Sequence, residues 1–270
     1  MEWKNIYRGL LMGASDIIPG VSGGTIAVLL GIYDRLIAAV NGFFSKDWKK
    51  QLGFLIPLGV GVGAAILLLS NVIEWLFEHY TGPTQFFFLG LIIGILPYLF
   101  HQSDAKQTFT WKHIILLVIG ALIVGSMVFL NTGEGTAMER TMSTYLLLFI
   151  SGFLASAAMI LPGISGSFIL YVIGIYQTVI AGISSFQLDV IAVTGIGIVC
   201  GIVLMSKIIN FFLLNYRTGT FAIIIGFVIG SIFVVFPGWP TDKTFLLISV
   251  ATFAAGLFSA YILGKVEYKE

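Results

Sequence analysis

Apolar runs separated by short polar breaks follow one another along almost the whole chain, and they are of two kinds. Three runs in the first half (about 52–77, 84–100 and 112–130) and three in the second (about 190–213, 220–236 and 244–263) are nearly free of charge. A helix needs about 20 apolar residues to cross the hydrocarbon of a bilayer, so each run predicts a membrane-spanning helix, the shortest at the lower limit. Each set of three is preceded by a broken apolar stretch, about 9–44 and about 145–186, interrupted by Pro19-Gly20 and by Pro162-Gly163. Proline disfavours helical geometry in the residue before it and glycine permits unusual backbone angles, so a helix stops there. Ser22-Gly23-Gly24-Thr25 and Ser165-Gly166-Ser167 then open a new helix, with serine as a good N-cap.

The two halves repeat each other. At one constant offset Gly9 matches Gly152, Pro19 Pro162, Gly20 Gly163, Ser22 Ser165, Gly23 Gly166, Gly31 Gly174 and Tyr33 Tyr176. At a slightly shorter offset Gly61 matches Gly197, Ser70 Ser206, Tyr80 Tyr216, Thr84 Thr220, Gly90 Gly226 and Gly94 Gly230. The pattern predicts a first repeat over 1–130, a polar extracytoplasmic link over 131–143 and a second repeat over 144–264. Gly90/Gly94 and Gly226/Gly230 are GxxxG pairs of the kind that let membrane helices approach closely.

Lysine and arginine collect in cytoplasmic loops. If both broken stretches dip into the membrane and return, Lys4, Arg8, Lys46, Lys49, Lys50, Lys106, Lys112, Arg217, Lys265 and Lys269 share one side, with Lys207 near it. Only Arg140 and Lys243 then lie opposite. If each broken stretch spans once, this bias weakens. The expectation is therefore an all-α polytopic membrane protein of two inverted-topology repeats, each a re-entrant helical hairpin plus three transmembrane helices, with both termini cytoplasmic. Trp3, Trp48, Trp75, Trp111 and Trp239 fall near predicted span ends, as an interfacial aromatic belt does.

Composition agrees. Of 270 residues, 58% are hydrophobic and 10% charged, against about 25% charged in a soluble domain, and the mean hydropathy is +1.01. No polar stretch approaches domain length, so enzymatic work in a separate soluble part is excluded. A net charge of +1 implies no nucleic-acid partner. The single Cys200 forms no internal disulfide, and the three histidines have no metal-ligand spacing, so no metal or cofactor is expected. The N-terminus shows no cleavable signal pattern.

The chemistry is expected at the breaks. Non-helical backbone at membrane depth is costly unless protein or a wet cavity satisfies it. A helix N-terminus there offers free N–H groups and partial positive charge to an anion. Two such tips, entering from opposite faces, could meet and form one anion site from Gly20, Ser22, Gly23, Gly24 and Thr25 with Gly163, Ser165, Gly166 and Ser167, the prolines 19 and 162 breaking the helices. The bland alternative is that Pro-Gly only kinks two packed helices. Asp16 lies three residues before Pro19, beside Ser15, and its repeat mate is Met159. It could bind a coupling proton or cation, or it could cap the loop backbone. Arg35 could pair with a phosphate, or it could snorkel at the interface, paired with Asp34. Glu74 and His79 read as a solvated helix end, and Lys207 as an anion-attracting or snorkelling side chain.

SDIIPGVSGGT at 15–25 and ILPGISGS at 160–167 resemble the bacterial polyprenyl-phosphate (undecaprenyl phosphate) transporter family of the PopT type, and the likeness covers nearly the whole chain. The resemblance implies translocation of undecaprenyl phosphate from the outer to the cytoplasmic leaflet of the cytoplasmic membrane, for reuse in cell-wall synthesis, with polyprenyl phosphate and membrane lipids as partners and no catalytic residues. It carries over onto Ser15, Asp16, Pro19, Gly20, Ser22, Gly23, Gly24 and Thr25, and onto Pro162, Gly163, Ser165, Gly166 and Ser167. The roles of these residues, and a coupling proton or sodium ion, come from the residue chemistry. A transporter of a small soluble anion is the alternative. A membrane enzyme acting on lipid phosphates would need a histidine constellation that the hairpins lack.

Overall fold

The computed structural model describes residues 1–18, 21–130 and 138–267, and no strand occurs among them. Pro19 and Gly20, most of the predicted link (131–137) and Lys269 lie outside the described residues. The helices are α1 (Asn5–Asp16), α2 (Gly23–Leu29), α3 (Tyr33–Phe43), α4 (Trp48–Gln102), α5 (Ala105–Thr108), α6 (Trp111–Gly125), α7 (Met142–Ile160), α8 (Gly166–Ile173), α9 (Tyr176–Ser184), α10 (Leu188–Asn215), α11 (Arg217–Val235) and α12 (Lys243–Glu267). A 3-10 turn, Ser126–Phe129, prolongs α6.

The sequence predicts two separate helices within 52–100, whereas the structure joins them in α4. Its 55 residues would measure about 80 Å if straight, far beyond one bilayer. The helix leaves helical geometry at Tyr80 (φ −138°, ψ 43°), which divides it into arms 48–79 and 81–102. Tyr216, between α10 and α11, has nearly the same backbone (φ −137°, ψ 44°). The local chemistry matches too: Thr84 Oγ1 donates to the Tyr80 carbonyl at 2.8 Å and Thr220 Oγ1 to the Tyr216 carbonyl at 2.9 Å. The two arms of α4 thus correspond to α10 and α11.

Six of these helices are long and apolar enough to cross a membrane: α4, α6 with its 3-10 turn, α7, α10, α11 and α12. The protein is a multi-pass membrane protein. With the two arms of α4 counted separately, the set adds one member to the sequence reading: α7, with 19 residues, is long enough to span. After α7 the chain turns through α8 and α9, which are bent by 111° across their break. Gly31 and Gly174 hold that break in both halves with positive φ, 64° and 80°, a conformation glycine adopts without steric cost.

Helix direction follows from which residues touch. Glu2 N–H donates to the Gly53 carbonyl at 2.9 Å, Gly9 packs on Leu58, and Gly13 packs on Val62 and Ala65. α1 therefore runs parallel to the first arm of α4, and the intervening chain comes back through α2 and α3 to the end from which it left. The second half does the same. Tyr145 OH donates to Asp189 at 2.5 Å, Gly197 packs on Phe149, and Gly201 on Phe153, so α7 runs parallel to α10.

The last helix of each half packs against the other half. Gly256 meets Phe87, Gly94 meets Ala260, and Tyr98 OH donates to the Tyr261 carbonyl, so α12 runs parallel to the second arm of α4. Gly120 meets Ile223 and Gly125 meets Gly230, so α6 runs parallel to α11. The GxxxG glycines are where backbones touch: a Cβ at Gly90 would sit 2.2 Å from the Phe253 carbonyl oxygen, and one at Gly226 2.2 Å from that of Leu117. In lipid there is little hydrophobic drive between helices, and such close van der Waals approach holds them together.

Charge marks the two ends. At one end Arg8 pairs with Glu267 (2.5 Å), Arg217 with Asp34 (2.7 Å) and Lys50 with Asp47 (2.8 Å). At the other, Arg140 lies 3.5 Å from Asp189. Between them the main core closes around α2, every residue of which is buried.

Candidate functional site

The two broken segments touch at their tips. The Gly163 N–H donates to Thr25 Oγ1 at 2.8 Å, Ser22 Oγ donates to the Met159 carbonyl at 3.4 Å, and Tyr33 OH donates to the Ile160 carbonyl at 3.2 Å. Gly163 has φ +86°, and a Cβ there would lie 2.6 Å from the Phe227 carbonyl oxygen. Only glycine fits both the angle and the space.

The tips differ in how they satisfy their backbone. At the first, Asp16 Oδ1 accepts from the Gly23 N–H at 2.6 Å, and Ser22 Oγ accepts from the Gly24 N–H at 3.1 Å. The carboxylate sits so close that a Cβ at Gly23 would be 2.5 Å from Oδ2. At the second, Ser165 stands at the N-cap position in extended geometry (φ −93°, ψ 130°) but makes no side-chain cap. Its Oγ pairs instead with Ser167 Oγ at 2.9 Å. The serine cap expected at both tips is formed at one, because at the second the neighbouring hydroxyl competes for the same oxygen. Met159, the repeat mate of Asp16, lies beside Gly166: a Cβ there would be 3.3 Å from the Met159 Cβ.

A cavity of about 380 Å³ opens between α1, α2, α3, α7, α8 and α10. Asp16, Gly23 and Gly24 line it from the first tip and Ser156, Gly166 and Ser167 from the second, while Leu36, Val40, Leu170 and Ile198 give it apolar walls. The other predicted residues stand behind it. Ser22, Thr25 and Gly163 hold the tips together, Ser165 bonds to Ser167 within the second tip, and Pro162 is buried with them. Ser15 Oγ is spent on the Met12 carbonyl at 2.7 Å, and the residue lines a separate cavity against α4 and α12.

Arg35 is not brought to the tips. Its Nη1 donates to Gln51 at 2.7 Å and its guanidinium lies 4.8 Å from the Phe54 ring centre, at the surface. The partner of Asp34 is Arg217 rather than Arg35. His79 and Lys207 are exposed, and His79 Nδ1 lies 3.0 Å from the Trp75 carbonyl.

Sequence reasoning missed Ser156, which lines the cavity and donates to Phe153 and Ile198 carbonyls, and Tyr33, whose match with Tyr176 was its one signal. Among the described residues no three His, Cys, Asp or Glu side chains converge as metal ligands. What the tips do offer is an uncapped helix start with hydroxyls, one carboxylate facing it, and apolar walls. That combination suits an anion attached to an apolar body, with a carboxylate close enough to exchange charge with it.

A family model described as VCA0040-like, undecaprenyl phosphate translocase-like, matches residues 12–252. A polyprenyl-phosphate transporter of Staphylococcus aureus (strain NCTC 8325 / PS 47) is 44% identical over 274 residues, covering 98% of this chain and 97% of the relative. A polyprenyl-phosphate transporter of Vibrio cholerae serotype O1 (strain ATCC 39315 / El Tor Inaba N16961) is 36% identical over 258 residues, covering 90% and 80%. No solved structure matches the chain.

Proposed function

The chain belongs to the VCA0040-like, undecaprenyl phosphate translocase-like family, and from that membership and the joined tips we propose that it carries polyprenyl phosphate across the bacterial cytoplasmic membrane. The direction we propose is from the outer to the cytoplasmic leaflet, returning carrier lipid for cell-wall synthesis. The observation that carries the reading is the cavity on which both tips open, with polar groups at its end and apolar walls. A polyprenyl tail is at home in lipid, and the phosphate alone needs help, because a bare charge in hydrocarbon costs many kcal/mol. The tips shield that headgroup and leave the tail against the walls. A site without a strong fixed positive charge also releases its ligand. The chain then acts as a carrier with no catalytic step, and the polar groups of Gly166 and Ser167 hold the phosphate.

The same reading takes the halves, 1–130 and 144–264, as inverted repeats and both broken stretches as re-entrant hairpins. Parallel packing of α12 on the second arm of α4, and of α6 on α11, supports it. With one crossing per broken stretch those pairs would be antiparallel. The grouping of Arg8, Lys50 and Arg217 at one end supports a cytoplasmic placement of both termini. Asp16 is the proposed coupling group. A phosphate and a carboxylate in one small cavity repel, so a proton or sodium ion bound with the lipid eases the crossing.

The test is headgroup translocation in proteoliposomes loaded with a polyprenyl monophosphate, with and without an imposed pH or sodium gradient. Protein-dependent, gradient-responsive movement is expected. Transport of inorganic phosphate with none of the lipid would replace this reading by the soluble-anion one. The topology has its own check: cysteines at Ser45 and Gln107 should react only from the cytoplasm and one at Gln187 only from outside.

A further inference from the structure

A second cavity is larger than the one at the tips. It is a groove of about 690 Å³ between α6, α10 and α11. One end carries Lys112, His113, Asn215, Arg217 and Thr218, and the walls beyond are apolar, with Leu116, Met205, Phe212 and Ile223. The cationic groups are together because α6 and α11 run parallel and begin at the same end of the molecule. Arg217 bonds one Asp34 oxygen at 2.7 Å and stacks 4.9 Å from the Phe221 ring centre. A guanidinium has five N–H donors, so this bond leaves others for a phosphate. His113 Nδ1 accepts from the Thr110 N–H at 3.0 Å, which leaves Nε2 of the neutral ring as a donor.

The groove reaches the back of the tips. Tyr33, Leu161 and Phe227 line it. Tyr33 OH holds the Ile160 carbonyl, and Gly163 packs on the Phe227 backbone. Ile160 lines the tip cavity and Leu161 the groove, so one step of the chain separates them.

The repeat supplies a control within the molecule. Thr81, Gly82 and Pro83, which match Arg217, Thr218 and Gly219, line a cavity of about 670 Å³ at the start of α12, and its charged residue is the acidic Asp242. At the matching helix starts, Asp242 Oδ1 already accepts from the Thr244 and Phe245 N–H groups, at 2.8 and 3.0 Å. Of these two matching ends, the one at Lys112 and Arg217 presents cations and the other an acid.

We propose that this groove is a second binding site for the lipid monophosphate, occupied between the tip cavity and the leaflet at the Lys112–Arg217 end. The inference rests on the polyprenyl-phosphate reading above. The headgroup bonds Lys112, His113 and Arg217, displacing Asp34 from part of the guanidinium, and the first isoprene units lie on α10 and α11. A phosphomonoester carries up to two negative charges and a phosphodiester one, so two fixed cations and a neutral donor favour the former over bulk anionic lipid.

The full chain in nanodiscs of zwitterionic lipid is titrated with a polyprenyl monophosphate, and the bound lipids are counted by native mass spectrometry. Two are expected on the wild type. Lys112→Gln/Arg217→Gln should bind one and lose about tenfold in affinity at the missing site, a typical cost for a charge-assisted bond. Lys112→Glu, at an exposed position that bonds no other helix among the described residues, should do the same without touching the Asp34 pair. Ser165→Ala/Ser167→Ala should instead lose the other lipid. One lipid on the wild type, still bound by both groove variants, overturns the groove and leaves the tip reading standing. No lipid on the wild type overturns both. Equal displacement by phosphatidylglycerol overturns the preference for a monophosphate.

Discussion

The two tips are built from nearly the same residues and end in opposite states. Every residue of α2 is buried, and its start is closed by the Asp16 carboxylate and the Ser22 hydroxyl. No residue of α8 is fully buried, its start has no side-chain cap, and its hydroxyls bond to each other. The difference traces to two positions, Asp16 against Met159 and Gly24 against Ser167. A carboxylate at a helix start is what an anionic ligand would otherwise supply. The first tip therefore carries its own anion, and the second has none, which is why the proposed phosphate is assigned to it. The repeat provides two related loops, and in the proposed reading these substitutions divide the work between a structural tip and a binding tip.

The strongest way to break that division is to give the second tip the acid of the first. In Met159→Asp the new carboxylate falls beside Gly166 as Asp16 falls beside Gly23. It should cap α8 and repel a phosphate. We expect binding of a polyprenyl monophosphate to fall by about 100-fold or more, since a charge-assisted bond is lost and like charges meet. The yield of folded protein should hold or rise. Unchanged binding by a well-folded Met159→Asp protein would mean that the phosphate does not sit at α8.

The next largest effect is expected at Asp16 itself. Asp16→Asn keeps a side-chain oxygen for the Gly23 N–H and removes the charge. It should still bind the lipid phosphate, with affinity equal to or above that of the wild type, and lose the gradient response of transport in proteoliposomes. A wild-type gradient response would make Asp16 a structural cap alone. Complete loss of binding would mean that the tip needs the charge to hold its shape.

Much of this was legible in the residues. Hydropathy marked the spanning runs, since lipid demands long apolar helices and little else. The paired Tyr80/Tyr216 and Thr84/Thr220 marked a shared break that the structure forms with the same backbone angles. The tips were legible because Pro-Gly-x-Ser-Gly cannot continue a helix. What was not legible was the pairing between distant chain segments. That α12 packs on α4 and α6 on α11 is decided by which small-residue faces meet, and many such faces occur in a chain with 32 glycines. The choice between the two readings of Arg35 was open for the same reason: its neighbours Gln51 and Phe54 come from another helix. The cap at Ser165 does not form, and its hydroxyl bonds Ser167 instead, a competition the spacing permits but does not decide.

The smallest effects should separate the two serines that the repeat makes equivalent. Ser22 Oγ accepts from the Gly24 N–H and donates to the Met159 carbonyl, so both its roles are internal. Ser22→Ala removes an N-cap, which costs on the order of 1 kcal/mol of stability. Thermal unfolding in detergent should show that loss, with lipid affinity nearly unchanged. Ser165 makes no cap, and its hydroxyl is bonded to Ser167, which lines the cavity. Ser165→Ala should leave stability within about 0.5 kcal/mol. Its effect should appear in affinity, because Ser167 loses the partner that orients it toward the phosphate. A hydrogen bond to a charged acceptor contributes about 1.5–3 kcal/mol, and a misoriented one retains part of that, so a loss of roughly threefold to tenfold is expected. Ser167→Ala should lose at least as much. If instead Ser22→Ala weakens binding and Ser165→Ala weakens folding, the roles of the tips are reversed, and the phosphate belongs with Gly23 and Gly24 rather than with Gly166 and Ser167.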